Sequence, residues 1–298
     1  LGYDTAPING SVPTANISNV TFLDVRNKNI SDLTGIEGFN TLTTLYCFGN
    51  QLTSLDVSNN TALTDLRCFG NQLTSLDVSG ATALEILGCS SNQLTSLDVS
   101  NNNALTILGC GNNQLTSLDV SNNTALTGLT CDNNQLQSLD VSGAIALEIL
   151  RCSSNQLTSL DVSNNTALWR MFCSSNQLTS LDVIGATALT DLICENNQLK
   201  SLDLSGANSL NILFCENNQL TSLDVRNGNN EAFYKFFAGE NPNLTCIYVD
   251  DADFSNANWS GGIDPASTFV ENEAECEALS IGDNALELDV FIYPNPTD

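Results

Sequence analysis

Apolar residues recur along most of the chain at a fixed interval of 21 residues, and inside each unit they alternate with polar ones. One clean unit reads Leu63-Thr-Asp-Leu66-Arg-Cys68-Phe-Gly-Asn71-Gln-Leu73-Thr-Ser-Leu76-Asp-Val78. Leu66 and Cys68 alternate with Asp65, Arg67 and Phe69, the period-two pattern of a short strand with one buried face. Gly70 and Asn71 end that strand. Beyond the turn, Leu73, Leu76 and Val78 point inward and Asp77 outward. Nine near-perfect copies run from Leu42 to about Val225. A unit this short cannot bury its apolar side alone, so the copies must stack into a solenoid with one continuous core.

A coil of 21 residues has little room for a helix on its outer wall. The pattern therefore predicts a mostly β solenoid, with a parallel sheet on one face and short extended or 3-10 segments on the other. The flanks read as degenerate copies. Leu23-Asp-Val25 through Ile30, Leu33 and Ile36 forms an opening repeat, with Lys28 in place of the Asn. Phe233 to Asn241 forms a closing repeat, with Ala238 in place of the Cys. Atypical end coils are expected, because they must shield the core from water. Eleven coils at about 4.8 Å give a rod on the order of 50 Å long.

Four columns of identical side chains follow from the repeat. The Asn column, Asn50 to Asn218, stands where the chain turns, and a stacked amide there can satisfy backbone groups left unpaired inside. The Cys column occupies buried positions from Cys47 to Cys215. Nine is an odd number, and in-register neighbours sit side by side in a poor geometry for disulfides. These cysteines read as small buried hydrophobes, since a linear stack offers no convergent metal site. Cys246 and Cys276 lie outside that column, in the closing segment, and are expected to form a disulfide. In the Asp column, each carboxylate should accept from a backbone N–H in the turn that follows it. The competing reading is a row of calcium sites at positions such as Asp77, Asp98 and Asp119, using neighbouring Asp and Ser oxygens. An exposed Thr-Ser column, interrupted at Gln137 and Lys200, is the motif for a remote ice-binding reading.

Function can sit only where such an array varies. Three outward columns on the strand face vary, and two clusters emerge. Tyr46, Phe48, Arg67 and Phe69 lie at one end. Arg151, Trp169, Arg170, Phe172, Ile193 and Phe214 lie toward the other. Gly88, Gly109, Gly111 and Gly128 leave a bare floor between them. Aromatic residues with Arg are the composition of binding hot spots.

Composition narrows the partner. The chain has 34 acidic and 8 basic residues, a formal net charge of −26 and no histidine. That charge argues against nucleic acid and anionic membrane as partners. Absent histidine removes the usual general base and hydrolase triads. No apolar run approaches the roughly 20 residues that span a bilayer. Carboxylate pairs capable of glycoside hydrolysis occur everywhere in an acidic ladder, so they point nowhere.

The repeat Leu-Thr-x-Leu-x-Cys-x-x-Asn-Gln-Leu-Thr-Ser-Leu-Asp-Val-Ser resembles that of leucine-rich repeat surface proteins of Bacteroidetes, particularly marine flavobacteria. The opening repeat resembles internalin-type repeats. Leu1-Gly-Tyr-Asp4 resembles the end of an N-terminal capping helix of these proteins. The stretch from Asn241 to Cys276, including Asn256-Ala-Asn-Trp259, resembles their C-terminal cap. Asp289-Val-Phe-Ile-Tyr-Pro-Asn-Pro-Thr-Asp298 resembles the opening of the C-terminal sorting domain read by the type IX secretion system. The resemblance implies four segments: 1–40, a cap remnant and opening repeat; 41–230, nine repeats; 231–278, closing repeat and cap; 279–298, linker and start of a sorting domain. It further implies an exported, monomeric, non-enzymatic recognition or adhesion module, secreted or attached to the outer membrane, without a cofactor and with a protein or glycan as ligand. The alternative is a structural, calcium-stabilised spacer; a carbohydrate-active enzyme ranks below it.

Overall fold

The computed structural model describes residues 13–204 and 206–285. The segment at 1–4 and the tail at 289–298, read above as a cap helix end and the start of a sorting domain, lie outside the described residues.

The chain is a leucine-rich repeat solenoid, mostly parallel β, as the period predicts. Each coil contributes a three-residue strand to the front sheet, whose strands run from Phe22–Asp24 to Lys235–Phe237. Among the described residues this sheet has 11 strands, all in parallel register. Equivalent positions pair directly: Leu45 with Leu66, Tyr46 with Arg67, and onward coil after coil. The central Leu of each strand and the Cys after it are sealed from solvent. One core runs without interruption from Leu23 to Phe269.

The opposite wall is extended rather than helical. Ser159–Asp161 pairs with Ser180–Asp182. Ser201–Asp203, Ser222–Asp224, Cys246–Tyr248 and Thr268–Val270 form a four-stranded sheet. Nearer the N-terminus the same positions make single bridges, such as Asp56 with Asp77 and Asp119 with Asp140.

The turn after the front strand puts one residue per coil in the left-handed region. Gly49 and Gly70 fill it in two coils, and Ser91, Asn112, Asn133 and their successors fill it elsewhere. The following Asn then locks the turn. Asn71 donates from Nδ2 to the carbonyls of Cys47 and Cys68, 3.1 and 2.9 Å away, and its Oδ1 accepts from Leu52 N–H at 3.0 Å. The ladder continues through Asn241 in the closing repeat, which reaches Cys215 and Ala238 in the same way. Leaving even one of these buried backbone groups unpaired costs about 1–3 kcal/mol.

A second buried amide column was not anticipated from the repeat. Asn60, Asn102, Asn123 and Asn165 are sealed inside, and each donates to two carbonyls of the preceding coil. Coils reading Ser-Gly-Ala, or Ile-Gly-Ala at 184–186, put Ala81, Ala144, Ala186 and Ala207 at the same position. Gly80 accompanies Ala81 because a Cβ there would come within 2.0 Å of the Ser58 carbonyl oxygen.

The closing cap seals the last coil with rings. Trp259, in helix α1 (Ala252–Trp259), stacks on Phe236 at 4.7 Å and meets Phe233, Phe254 and Phe269 edge-on or tilted. Asp251 caps α1 by accepting from Phe254 N–H. Helix α2 (Glu273–Ala285) is tied to the sheet by the Cys246–Cys276 disulfide, with Cα atoms 5.9 Å apart. Arg226 adds a second tie, donating to Asp224, to the Glu273 carboxylate and to the Glu271 carbonyl. No helix among the described residues is long and apolar enough to cross a membrane.

Candidate functional site

The back wall is chemically committed. Every Asp of its column from Asp56 to Asp161 accepts from the backbone N–H of the Ser two residues on, at 2.8–2.9 Å. Hydrogen bonds from that serine hold these carboxyls below the usual carboxylate range. Asp77, Asp98 and Asp119, the calcium candidates, are all bonded in this way. No group of three or more His, Cys, Asp or Glu side chains among the described residues is placed to hold a metal ion.

The nine ladder cysteines are free and buried. Burial pushes the Cys47 thiol up to about 12 and raises those of Cys68 and Cys89 as well. At neutral pH they are protonated, and a thiol without thiolate character is neither a nucleophile nor a metal ligand.

The front face differs in every coil. At its N-terminal end, Tyr46, Phe48, Arg67 and Phe69 come together. Phe48 and Phe69 stack at 4.2 Å with rings nearly parallel. The Arg67 guanidinium lies 4.9 Å from the centre of the Tyr46 ring and forks onto Asp65. Tyr46 Oη donates to the same Asp65, a bond that pushes its own phenol up. Two members were missing from the sequence reading. Phe22, half exposed, meets Tyr46 edge-on, and Arg26 lies over Phe48. Both belong to the degenerate first coil, whose 22-residue offset hid the alignment (Leu23 pairs with Leu45).

At the C-terminal end, Phe172, Ile193 and Phe214 form one lane across hydrogen-bonded strands. The structure extends this lane by Phe237, which pairs with Phe214 and meets it edge-on at 5.1 Å. Arg151, one coil back, lies 4.2 Å from the centre of the Phe172 ring. Arg170 is one column over. It pairs with Asp191 and covers the Trp169 ring at 4.3 Å. Trp169 itself precedes the strand and stands on the flank of the face, not in the lane with Phe172. Lys235 and Tyr234, from the closing repeat, complete this end. Lys235 lies between the Phe214 and Tyr234 rings, and Tyr234 is 79% exposed. Five of the eight basic residues thus stand on the front face, where the sequence reading placed three.

The floor between the clusters is only partly bare. Gly88 and Gly109 leave the lane position bare and Thr130 fills it in the next coil, while the column beside it carries Ile86, Ile107 and Ile149, broken only at Gly128, with Ile107 47% exposed. Beyond the glycines, Asp132 accepts from Ser153 N–H at 2.6 Å, and burial raises its carboxyl. A cleft of about 630 Å³ lies elsewhere, in the closing cap, lined by Thr245, Tyr248, Glu273 and the disulfide.

No family model and no curated protein matches this chain. Among solved structures, the functional domain of InlJ from Listeria monocytogenes, described as including a cysteine ladder, is 34% identical. It covers 87% of the chain with a TM-score of 0.64, while the chain spans 64% of that domain, a little under two thirds. An internalin of the same organism, InlF, is 21% identical with a TM-score of 0.54, covering 88% of this chain and 89% of its own. A plant peptide hormone receptor in complex with RGF2 is 21% identical, covers 80% of this chain and 45% of its own, and has a TM-score of 0.62. The latter two establish fold likeness alone.

Proposed function

We propose that this chain is an exported, non-catalytic recognition module that binds a protein or glycan ligand through the front face of the solenoid. The observation that carries the reading is the aromatic lane Phe172–Ile193–Phe214–Phe237 with its flanking Arg151 and Lys235. A parallel sheet face needs no such side chains for stability, because its core side is already closed by Leu and Cys. Rings and guanidinium groups held rigid by neighbours lose little side-chain entropy on binding, which is the property of a hot spot. The peptide hormone receptor with RGF2 supports the reading by analogy of fold.

Export is supported by two features. A disulfide between Cys246 and Cys276 belongs in an oxidising compartment, and nine buried thiols can remain reduced there only because water and oxidant cannot reach them. The Tyr293-Pro-Asn-Pro296 segment carries the resemblance to a type IX sorting signal.

The test is a protein pull-down and glycan screen with the chain and with a Phe172→Ala, Phe214→Ala double variant. Loss of the captured ligand at least tenfold is expected. Unchanged capture by the double variant removes the front face as the site.

A further inference from the structure

We infer that the C-terminal lane takes an extended polypeptide segment with alternating aliphatic and cationic side chains, the aliphatic ones on Phe172, Ile193, Phe214 and Phe237 and the cationic ones beside Glu195 and Glu216. The inference rests on the front-face reading and chooses between its two ligand classes.

Ring geometry argues against sugar. Stacking on a pyranose requires a free aromatic face. Arg151 covers Phe172, Arg170 covers Trp169, Arg67 covers Tyr46, and Lys235 lies over both Phe214 and Tyr234. Phe48 and Phe69 cover each other, and Phe237 packs against Phe214. Each of these rings thus has a face taken by a neighbour, and Ile193 interrupts the lane between Phe172 and Phe214, an irregular apolar strip suited to aliphatic side chains.

Charge argues for a cationic partner. Glu195 and Glu216 stand side by side in the column next to the lane, their backbone carbonyls accepting from Ser175 N–H and Asn196 N–H of the preceding coils. Among the described residues neither side chain is in an ion pair. Burial holds both carboxyls above the usual range, so each is already partly stripped of water and a ligand cation meets less desolvation there. The net charge of −26 steers cationic ligands toward the molecule, and on a front face whose lane is flanked by Arg151 and Lys235 the Glu195–Glu216 pair marks where a ligand cation docks. The lane crosses four coils, about 14 Å, the length of roughly four extended residues.

The test titrates the full chain with three probes: a ten-residue alternating Lys-Leu peptide, the Glu-Leu counterpart, and cellohexaose. The Lys-Leu peptide should bind at least tenfold more tightly than either other probe. Glu195→Gln with Glu216→Gln should weaken it about fivefold or more. Asp77→Asn with Asp98→Asn, the same charge change on the back wall, should leave it unchanged, and circular dichroism confirms that each variant is folded. Equal weakening by both pairs means the peptide follows net charge alone and overturns the inference. Cellohexaose binding that depends on Phe172 and Phe214 overturns it too, yet leaves the front-face reading standing. Probe binding indifferent to Phe172→Ala with Phe214→Ala overturns both.

Discussion

The two walls of this solenoid are built from the same coils and have opposite characters. On the back wall, Leu-Asp-Val repeats almost unchanged, and each Asp is consumed by its own turn. On the front wall no outward column keeps one residue type, and side chains pair across coils: Arg151 with Phe172, Arg170 with Asp191, Tyr46 with Arg67. A side chain whose partner is backbone, which every coil supplies alike, can be copied indefinitely. A side chain whose partner is a side chain of the next coil must match it, and copying breaks the match. The comparison teaches that in this molecule uniformity marks what holds the coils together and heterogeneity marks the face proposed to meet a partner.

The largest blow to that contrast is struck inside the turn. Asn134→Ala strands the buried Leu115 N–H and removes one of the two amide donors from each of the Cys110 and Cys131 carbonyls, which keep Asn113 and Asn155. With about 1–3 kcal/mol for the unpaired N–H and about 0.5–1.5 kcal/mol for each of the other two lost hydrogen bonds, a loss of about 2–4 kcal/mol is expected in urea unfolding. Binding through the front face should persist wherever the variant is folded. A second, milder test uses the core sulfur. Cys131→Ser places a hydroxyl where nothing polar replaces water, costing about 1–3 kcal/mol, whereas Cys131→Ala loses only packing. A smaller cost from Ser than from Ala would show that the ladder is not the apolar column described above. Thiol titration of the denatured, unreduced chain should return nine free groups, matching the nine ladder cysteines.

The front wall should answer in the reverse sense. Phe172→Ala with Phe214→Ala removes two partly buried rings that lie outside the core, so a stability loss of about 2 kcal/mol is expected alongside the large loss of binding. Together the two variants, one stability-dead and one binding-dead, measure how separable the walls are.

Much of this was legible because the period is fixed. Adding 21 to a residue number finds its neighbour in the next coil, which is how Arg151 and Phe172, or Arg170 and Asp191, could be paired without coordinates. Leu66 inside and Arg67 outside followed from alternation alone. The misses cluster where the arithmetic fails. Phe22 and Arg26 belong to a coil offset by 22, and Tyr234, Lys235 and Phe237 to one offset by 23, since Leu213 pairs with Phe236. Trp169 precedes the strand that carries Phe172, and alternation sends the two to different columns although both belong to the C-terminal cluster. The Asn102 column escaped notice because Ala alternates with Asn there, and a column of mixed size does not read as a ladder until Gly80 shows how tightly the turn is packed.

The subtlest test of the two walls is their response to acid, and its sign differs between them. Asp77 and its column neighbours have folded-state carboxyls held below their ordinary range by the serine that follows. Their contribution is present above the unfolded carboxylate range and is lost as pH falls through the depressed folded values. Glu195 and Glu216 are raised by burial, so the folded chain holds their protons more tightly than the unfolded chain does. Ionising them therefore destabilises the fold at neutral pH, and that penalty fades as pH falls through the raised values. Glu195→Gln with Glu216→Gln should consequently be the more stable protein near pH 7, by less than about 1 kcal/mol for groups this exposed. The advantage should shrink steadily as acid protonates the parent. Asp77→Asn with Asp98→Asn should run the other way, less stable than the parent at pH 7 and converging on it in acid. Melting curves across that range decide the matter. Two variant pairs that drift from the parent in the same direction would mean that the carboxylates of both walls sit in one environment, and the division between a wall spent on folding and a wall left for a partner would fail.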